Sequence, residues 1–259
     1  VQTSGLQPAP IADYGHGTQM GSFLSDPSPE FGWRACWTVE DRYGYLAKDS
    51  QVHLNYFDLT REAEAATAKS WIAFGFTNDQ TAEIPALMIR RKADQAPLIS
   101  CFAGIFEPCT SQSLIRSVER LEVVDAAGTP YSDMSVAVLV QSVDGFRDLI
   151  LAMDVENPTN LVPCFRTTRS AQAPSCKLTT DAELCFVRTD ARGVVKKVAL
   201  AHGSFLRTAD LEIRTDTAAG FIELDLDGKT AAVAAGRLES IKSCKLKSKQ
   251  LRIVRVAEK

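Results

Sequence analysis

The chain has 259 residues, a formal net charge of -3 at pH 7 and seven cysteines. This length suffices for one large all-β domain or two smaller ones. Its 45% hydrophobic and 24% charged residues are ordinary for a globular protein. No apolar run approaches the roughly 20 residues that span a bilayer. The small net charge gives no argument for nucleic acid, so we expect neither a membrane nor a nucleic-acid partner.

In chain order, most periodic segments alternate with period 2, which is typical of β-strands. Val52, Leu54 and Tyr56 point to one side of such a segment and alternate with polar His53 and Asn55. Asp-Gly pairs between strand-like runs predict hairpins. Two such turns are expected, at residues 144–145 and 227–228, and residues 190–193 (DARG) predict a third, longer hairpin.

Three segments depart from this pattern. Residues 61–69 are good helix formers, but they run directly into the apolar residues 71–76 and predict one turn followed by a long strand. Residues 1–30 are rich in Gly, Pro and Ser and predict a loop and arm. Residues 157–177 contain three prolines and predict a long irregular connection.

About fifteen short strands predict an all-β fold, namely a large two-layer antiparallel β-sandwich (a super-sandwich) with short terminal strands. We place the sandwich in residues 1–236 and the terminal strands, packed on it, in residues 237–259. This tail has eight basic and two acidic side chains. It either attracts a polyanion or, as we favour, forms an edge strand that Lys245, Lys247 and Lys249 protect from further pairing.

The seven cysteines leave two interpretations open. Cys101 and Cys109 are placed to meet across a turn, and Cys164 and Cys176 flank a Pro/Ser loop, so one or two disulfides are consistent with the spacing. Buried free thiols in strands are the alternative that we favour. No CxxC or Cys/His spacing typical of structural zinc is present. We predict no cofactor and no metal ligands, while bound calcium or zinc stays open.

The densest mixture of aromatic and charged residues lies in residues 33–45. Aromatic faces stack on sugar rings, and an Arg fork holds a carboxylate or sulfate in two hydrogen bonds. Together with a basic step at residues 90–92, this segment supplies the predicted substrate-binding residues, which are Trp33, Arg34, Trp37, Arg42, Tyr43, Tyr45, Arg90 and Arg91. The alternatives are core packing for both tryptophans, an Asp41–Arg42 ion pair, and a solvated basic step.

Three phrases in fixed order carry a resemblance to a known family. They are residues 53–60 (HLNYFDLT), residues 89–92 (IRRK), and residues 106–109 (FEPC) followed by residues 117–121 (SVERL). Over roughly residues 30–215 the chain resembles the C-terminal β-sandwich region of heparinase II/III-like, alginate-lyase-related polysaccharide lyases. The usual aromatic residue after Glu-Pro is replaced by Cys109.

The resemblance implies an accessory sandwich that supports an N-terminal α/α toroid and forms one wall of a cleft for an acidic polysaccharide. The chain has no room for the toroid and begins at Val1 without an initiator Met, so we expect a portion of a periplasmic or secreted enzyme that is inactive alone. A stand-alone carbohydrate-binding module is the first alternative. The second is a complete small lyase, with His16 or His53 acting beside Tyr43 or Tyr56 as catalytic candidates.

Overall fold

The computed structural model describes residues 1–10, 20–41, 43–47, 50–73, 81–96, 98, 100–125, 128–130, 133, 135–153, 169–173, 176–209, 211–226, 230–234, 241–246 and 252–255. The regular structure in these ranges is β-strand, and the strands form antiparallel sheets, which confirms the predicted all-β fold. The same ranges contain no helix long and apolar enough to cross a membrane. The chain divides into two compact units, Val1–Ser113 and Leu114–Lys259.

The first unit is a two-layer sandwich. Its eight strands are β1 (Gln2–Ser4), β2 (Ala9–Pro10), β3 (Met20–Asp26), β4 (Arg34–Thr38), β5 (Val52–Asp58), β6 (Glu64–Ala73), β7 (Thr81–Arg90) and β8 (Gly104–Thr110). They form two four-stranded sheets, β1-β4-β5-β8 and β2-β3-β6-β7. Trp33, Ala35 and Tyr56 of the first sheet pack with Ala65 of the second, so this core joins the two layers.

Two sequence predictions for this unit have different outcomes. The turn before a long strand is confirmed, because β6 begins at Glu64 and pairs with β7 over ten residues. The loop and arm expected in residues 1–30 are wrong in part, because β1, β2 and β3 lie there. Their partners are distant in sequence: β1 pairs with β4, and β3 pairs with β6. Such nonlocal partners override the weak β-propensity of Gly, Pro and Ser.

The second unit contains one sheet of eleven strands. They are β9 (Ile115–Asp125), β10 (Ser135–Ser142), β11 (Arg147–Met153), β12 (Arg169–Ala173), β13 (Cys176–Thr180), β14 (Leu184–Thr189), β15 (Val195–Arg207), β16 (Leu211–Asp225), β17 (Thr230–Ala234), β18 (Ile241–Leu246) and β19 (Arg252–Arg255). The strand order is β13-β12-β9-β10-β11-β14-β15-β16-β17-β19, and β13 also pairs with β15. Strands β9 to β15 therefore close into a ring around a core rich in Leu, Val and Ile.

The predicted hairpins are confirmed where the structure describes them. β10 and β11 pair across Asp144-Gly145, and β14 and β15 pair across residues 190–193. β16 pairs with β17, although the Asp227-Gly228 turn between them lies outside the described residues. In the tail, β18 pairs with β16, and Lys245 stands opposite Glu212. β17 and β19 run parallel, unlike the remaining pairs of the described sheet.

For several cysteines the structure decides between the disulfides and the free thiols considered above. Cys36, Cys109 and Cys185 are free thiols, so the bridge considered between Cys101 and Cys109 is not formed. Burial raises the pKa of the Cys185 thiol to about 12, because an apolar interior disfavours the thiolate. Cys164 lies outside the described residues.

Candidate functional site

The phrase Tyr56-Phe57-Asp58-Leu59-Thr60 forms a buried hydrogen-bond network at the end of β5. The Asp58 carboxylate, 2% exposed, accepts hydrogen bonds from Tyr56 Oη at 2.8 Å, Thr60 Oγ1 at 3.0 Å and the Thr60 backbone N–H at 3.2 Å. The Trp33 side chain adds a further bond. Thr60 Oγ1 also accepts from the backbone N–H of Ala103 at 3.2 Å. The network thus ties three segments of the first unit together.

The ionisation of this network follows from its burial. Burial raises the pKa of Asp58, and the hydrogen bonds from Tyr56, Thr60 and Trp33 only partly oppose that rise. The pKa of Tyr56 is also raised, first by burial and then by its bond to Asp58 and the charge there. A tyrosine in this state keeps its proton, so Tyr56 is unsuited to be the base that removes a proton from a substrate.

The raised pKa of Asp58 predicts a pH dependence of stability. The folded protein binds this proton more tightly than the unfolded chain, so the contribution is complete below the unfolded pKa and is lost as pH rises through the folded pKa. We expect the free energy of unfolding of the wild type minus that of Asp58→Asn to fall with rising pH over the range that begins near pH 4, the ordinary pKa of the carboxyl group. Urea titrations of both proteins across this range measure the difference, and a rise with pH would contradict the assignment.

One face of the first sheet carries a row of polar side chains. Register places Arg34, Cys36 and Thr38 of β4 beside Phe57, Asn55 and His53 of β5, with Ile105, Glu107 and Cys109 of β8 beyond them. Glu107 is buried and accepts hydrogen bonds from Asn55 Nδ2 at 2.9 Å and from Ser113 Oγ at 2.7 Å. These contacts join β5, β8 and the turn after β8.

His53, a catalytic candidate, lies on this polar face. Its Nδ1 is 3.2 Å from Thr38 Oγ1 and 4.0 Å from Cys36 Sγ. Burial raises the pKa of the nearby Cys109 thiol, and the charge of Glu107 adds to this effect. A thiol in that state is a poor nucleophile. Among the described residues, no group of three or more His, Cys, Asp or Glu is arranged to hold a metal ion.

The two predicted tryptophans point to the opposite face of the sheet from Arg34 and His53. Trp33 is only 2% exposed, and its ring lies 5.5 Å from that of Tyr56. It therefore presents no free face to a sugar, and the core-packing alternative describes it. Trp37 is half-buried and packs against the same core cluster. Arg34 instead lies over the Phe57 ring, 4.9 Å from its centroid.

The basic step at residues 90–92 is compensated by acidic neighbours. Arg90 and Lys92 pair with Glu64, and Arg91 pairs with Glu62 at 3.1 Å. Burial alone would raise the pKa of Glu64, but hydrogen bonds from Arg90 and Lys92 outweigh it and lower this pKa below its ordinary value. Glu62 lies in the turn before β6, and Glu64 is the first residue of β6. Arg90 and Arg91 are therefore engaged in ion pairs with Glu64 and Glu62 and do not form one binding surface with residues 33–45.

Tyr43 and Tyr45 form the most exposed aromatic pair of the described residues. They are 74% and 86% exposed, and their ring centroids lie 5.8 Å apart with a 29° interplanar angle. The Asp41 carboxylate accepts hydrogen bonds from the backbone N–H groups of Tyr45 and Leu46, each at 2.9 Å. This carboxylate organises the loop between β4 and β5, so two rings stand side by side in solvent. Arg42, the predicted partner of Asp41, lies outside the described residues, as does His16.

The remaining histidine lies in the second unit. His202 lies inside β15, just before the register shift between Gly203 and Phe205, with a positive φ of 50°. Its Nδ1 is 2.6 Å from Glu183 Oε2. A left-handed histidine in a strand marks a β-bulge, which period-2 alternation does not reveal.

The candidate residues are thus distributed rather than gathered in one centre. His53 and Arg34 share one face of the first sheet, the tryptophans lie on the other, and the tyrosine pair stands on a loop. Sequence reasoning missed the exposed rings of Phe102 and Phe106 on β8 and the segment before it. Comparison of the sequence with protein-family models gives no match, and comparison with curated proteins gives no match either.

Proposed function

We propose that this chain is an accessory all-β portion of a heparinase II/III-like polysaccharide lyase that contacts an acidic polysaccharide. The observation that carries this proposal is the stacked, solvent-exposed pair of Tyr43 and Tyr45. Flat aromatic faces bind the apolar faces of sugar rings, and their hydroxyl groups add hydrogen bonds at the edge. Asp41 fixes the loop in advance, which reduces the entropy lost on binding.

The accessory role is supported by the positions of the catalytic candidates, which are not gathered into one centre. Tyr56 is buried and its hydroxyl donates a hydrogen bond to Asp58, and His53 lies on the sheet face opposite that of Tyr56. A lyase needs a base, a group that neutralises the substrate carboxylate, and a proton donor near one another. In the proposal an α/α toroid supplies these groups, and the whole enzyme is periplasmic or secreted.

Saccharide binding is tested by titrating the protein with alginate and heparin while heat or intrinsic fluorescence is recorded. A ring contact contributes about 0.5–1.5 kcal/mol, so replacing both Tyr43 and Tyr45 with Ala should weaken binding about tenfold or more. The matched control replaces both with Phe, which keeps the rings and should retain most of the affinity. Equal affinity of the Ala variant and the wild type would exclude the tyrosine pair as the site.

The accessory role has a separate test. The isolated chain is incubated with the same polymers, and the ultraviolet absorbance of the unsaturated sugar product is followed. We expect no rise until the helical toroid portion is added. A rise with the isolated chain would favour the complete small lyase, and His53→Ala would then show whether His53 takes part.

A further inference from the structure

Strand β8 and the residue pair before it have an inverted exposure pattern. Phe102, Gly104, Phe106 and Pro108 face solvent, whereas the alternating positions include buried Glu107 and Cys109. The phenylalanines are 56% and 62% exposed. In a half-buried strand the apolar face normally packs on the core and the polar face meets water. We call the exposed row Phe102, Gly104, Phe106 and Pro108 the β8 stripe.

The position of β8 at the edge of its sheet explains the exposure. The β8 stripe belongs to the face on which Ala35 and Tyr56 pack against Ala65 of the second sheet. That packing involves β4 and β5. The Phe106 ring on β8 lies outside this core and contacts its outermost ring, Tyr56, with 4.8 Å between the ring centroids. An aromatic row therefore remains open along the edge of the sandwich.

The residue types of the β8 stripe favour a saccharide over a peptide strand or a folded protein. Pro108 has no backbone N–H, which hinders a further strand from pairing along this edge. Two large side chains offer far less area than a stable protein interface of about 1,600 Å² requires. Separated aromatic rings suit successive sugar rings.

Gly104 keeps the β8 stripe flat between its two rings. A Cβ at this position would lie 2.5 Å from Tyr56 Cε2 and Oη, so a larger residue would displace the Tyr56 ring. Because residue 104 has no side chain, the Tyr56 ring packs against its backbone, at the position between Phe102 and Phe106.

The β8 stripe leads towards the tyrosine loop. Thr110 at the end of β8 pairs with Val52 at the start of β5, and Ser111 donates a backbone hydrogen bond to the carbonyl of Gln51 at 3.1 Å. Residues 39–51, which include Tyr43 and Tyr45, leave and rejoin the sheet at this same end of its strands, since the Val39 backbone N–H donates to the Val52 carbonyl at 2.8 Å. From residue 102 to residue 110 an extended chain covers about 26 Å, enough for several sugar rings.

We propose that the β8 stripe is a second saccharide-binding surface, and that a single polysaccharide chain runs along it to the Tyr43–Tyr45 loop. This inference rests on the proposed function and narrows it: the ligand is a polymer segment of several sugars, not a mono- or disaccharide. Contact with both surfaces joins two weak sites, so affinity increases steeply with ligand length.

The test is a length series of alginate oligosaccharides, from the disaccharide upward, titrated into the full chain. For the wild type we expect affinity to rise with length. Phe106→Ala should weaken binding of the long oligosaccharides about threefold to tenfold and leave the disaccharide unaffected. Phe31→Ala is the matched control, because Phe31 is similarly exposed but lies outside β8. Thermal unfolding by circular dichroism checks that each variant is folded.

Each outcome separates the two proposals. If Phe106→Ala behaves like Phe31→Ala while loss of the Tyr43 and Tyr45 rings abolishes binding, the second surface is overturned and the proposed function stands. If Phe106→Ala weakens binding but loss of both tyrosine rings does not, the stripe is supported and the tyrosine site is excluded.

If the wild type binds no oligosaccharide, the proposed function and the second surface are both overturned. If wild-type dimers dissociate in the Phe106→Ala variant by analytical ultracentrifugation, the stripe is a protein interface and the inference is overturned.

Discussion

Replacing Asp58 with Ala is expected to lower the free energy of unfolding by about 3–5 kcal/mol. The substitution removes the acceptor for the Tyr56 hydroxyl, the Thr60 hydroxyl and the Thr60 backbone N–H, and it also removes the bond from Trp33. These donors are buried, and a buried donor without an acceptor costs about 1–3 kcal/mol. Some of that cost is recovered, because Asp58 is itself a carboxylate that burial disfavours.

Urea unfolding followed by tryptophan fluorescence measures this effect, since Trp33 is buried beside the network. Asp94→Ala is the control, because Asp94 is exposed and its loss should change stability by less than about 0.5 kcal/mol. Asp58→Asn should fall between the two, since the amide keeps one acceptor oxygen. A loss for Asp58→Ala no larger than that for Asp94→Ala would show that the network contributes nothing to the fold.

Residues of the three phrases described under Sequence analysis hold the fold together. Tyr56, Asp58 and Thr60 form the buried network, and Arg90 pairs with Glu64. In the second unit Arg120 is buried and donates to Asp133 Oδ1 at 2.6 Å. A buried charge has to be paired or hydrogen-bonded, so each such residue requires a specific partner. These phrases therefore include structural networks, while the proposed sugar contacts lie at Tyr43 and Tyr45, outside the phrases, and at Phe106, within the third phrase.

Local features of the fold could be predicted from the sequence. Alternation in residues 52–57 predicted β5, and the Asp-Gly pair at residues 144–145 predicted the β10–β11 hairpin. Both depend on neighbouring residues only: the pleat fixes the period, and a tight turn needs residues that tolerate a positive φ, as Gly145 shows with 91°. The long strand β6 was also predictable, because the alternating face of Ala66, Ala68 and Ser70 continues to Ile72.

Nonlocal features could not be predicted in this way. The short strands before residue 30 exist because β4 and β6 offer free edges, and composition contains no information about such partners. The same limit applies to the candidate site. The local mixture of aromatic and charged residues placed Trp33 among sugar-contact candidates, but whether an aromatic ring is covered depends on the second sheet: it covers Trp33 and leaves Phe106 exposed.

The second large effect is expected at Gly203, where β15 changes partners. Before this residue β15 pairs with β14, and after it, at Leu206 and Arg207, β15 pairs with β13 and closes the ring of strands. A Cβ on residue 203 would lie 2.5 Å from Ala182 Cβ, 2.6 Å from its Cα and 2.9 Å from its N. Real Cβ atoms do not approach backbone atoms so closely, so either β15 or the Ala182 segment has to move.

Neither segment is free to move. The Ala182 N–H donates to Thr180 Oγ1 at 3.1 Å, and the Asp181 carboxylate accepts from the backbone N–H groups of Ser204 and Phe205 at 2.9 and 2.7 Å. On the other side of the contact the backbone N–H of Glu183 donates to the Ala201 carbonyl at 3.2 Å, so the two backbones are held together on both sides. Gly203→Ala should therefore lower the free energy of unfolding by about 3 kcal/mol, at the upper end of ordinary overpacking.

Thermal and urea unfolding of Gly203→Ala test this expectation. Gly21→Ala is the control: Gly21 lies in a strand of the first unit, and a Cβ there meets nothing within 4 Å. Replacing Gly with Ala lowers the conformational entropy of the unfolded chain. The Gly21→Ala control should therefore be neutral or slightly stabilising. If Gly203→Ala were as stable as Gly21→Ala, β15 and the Ala182 segment would have room to separate, and the close backbone contact would not be needed to close the ring.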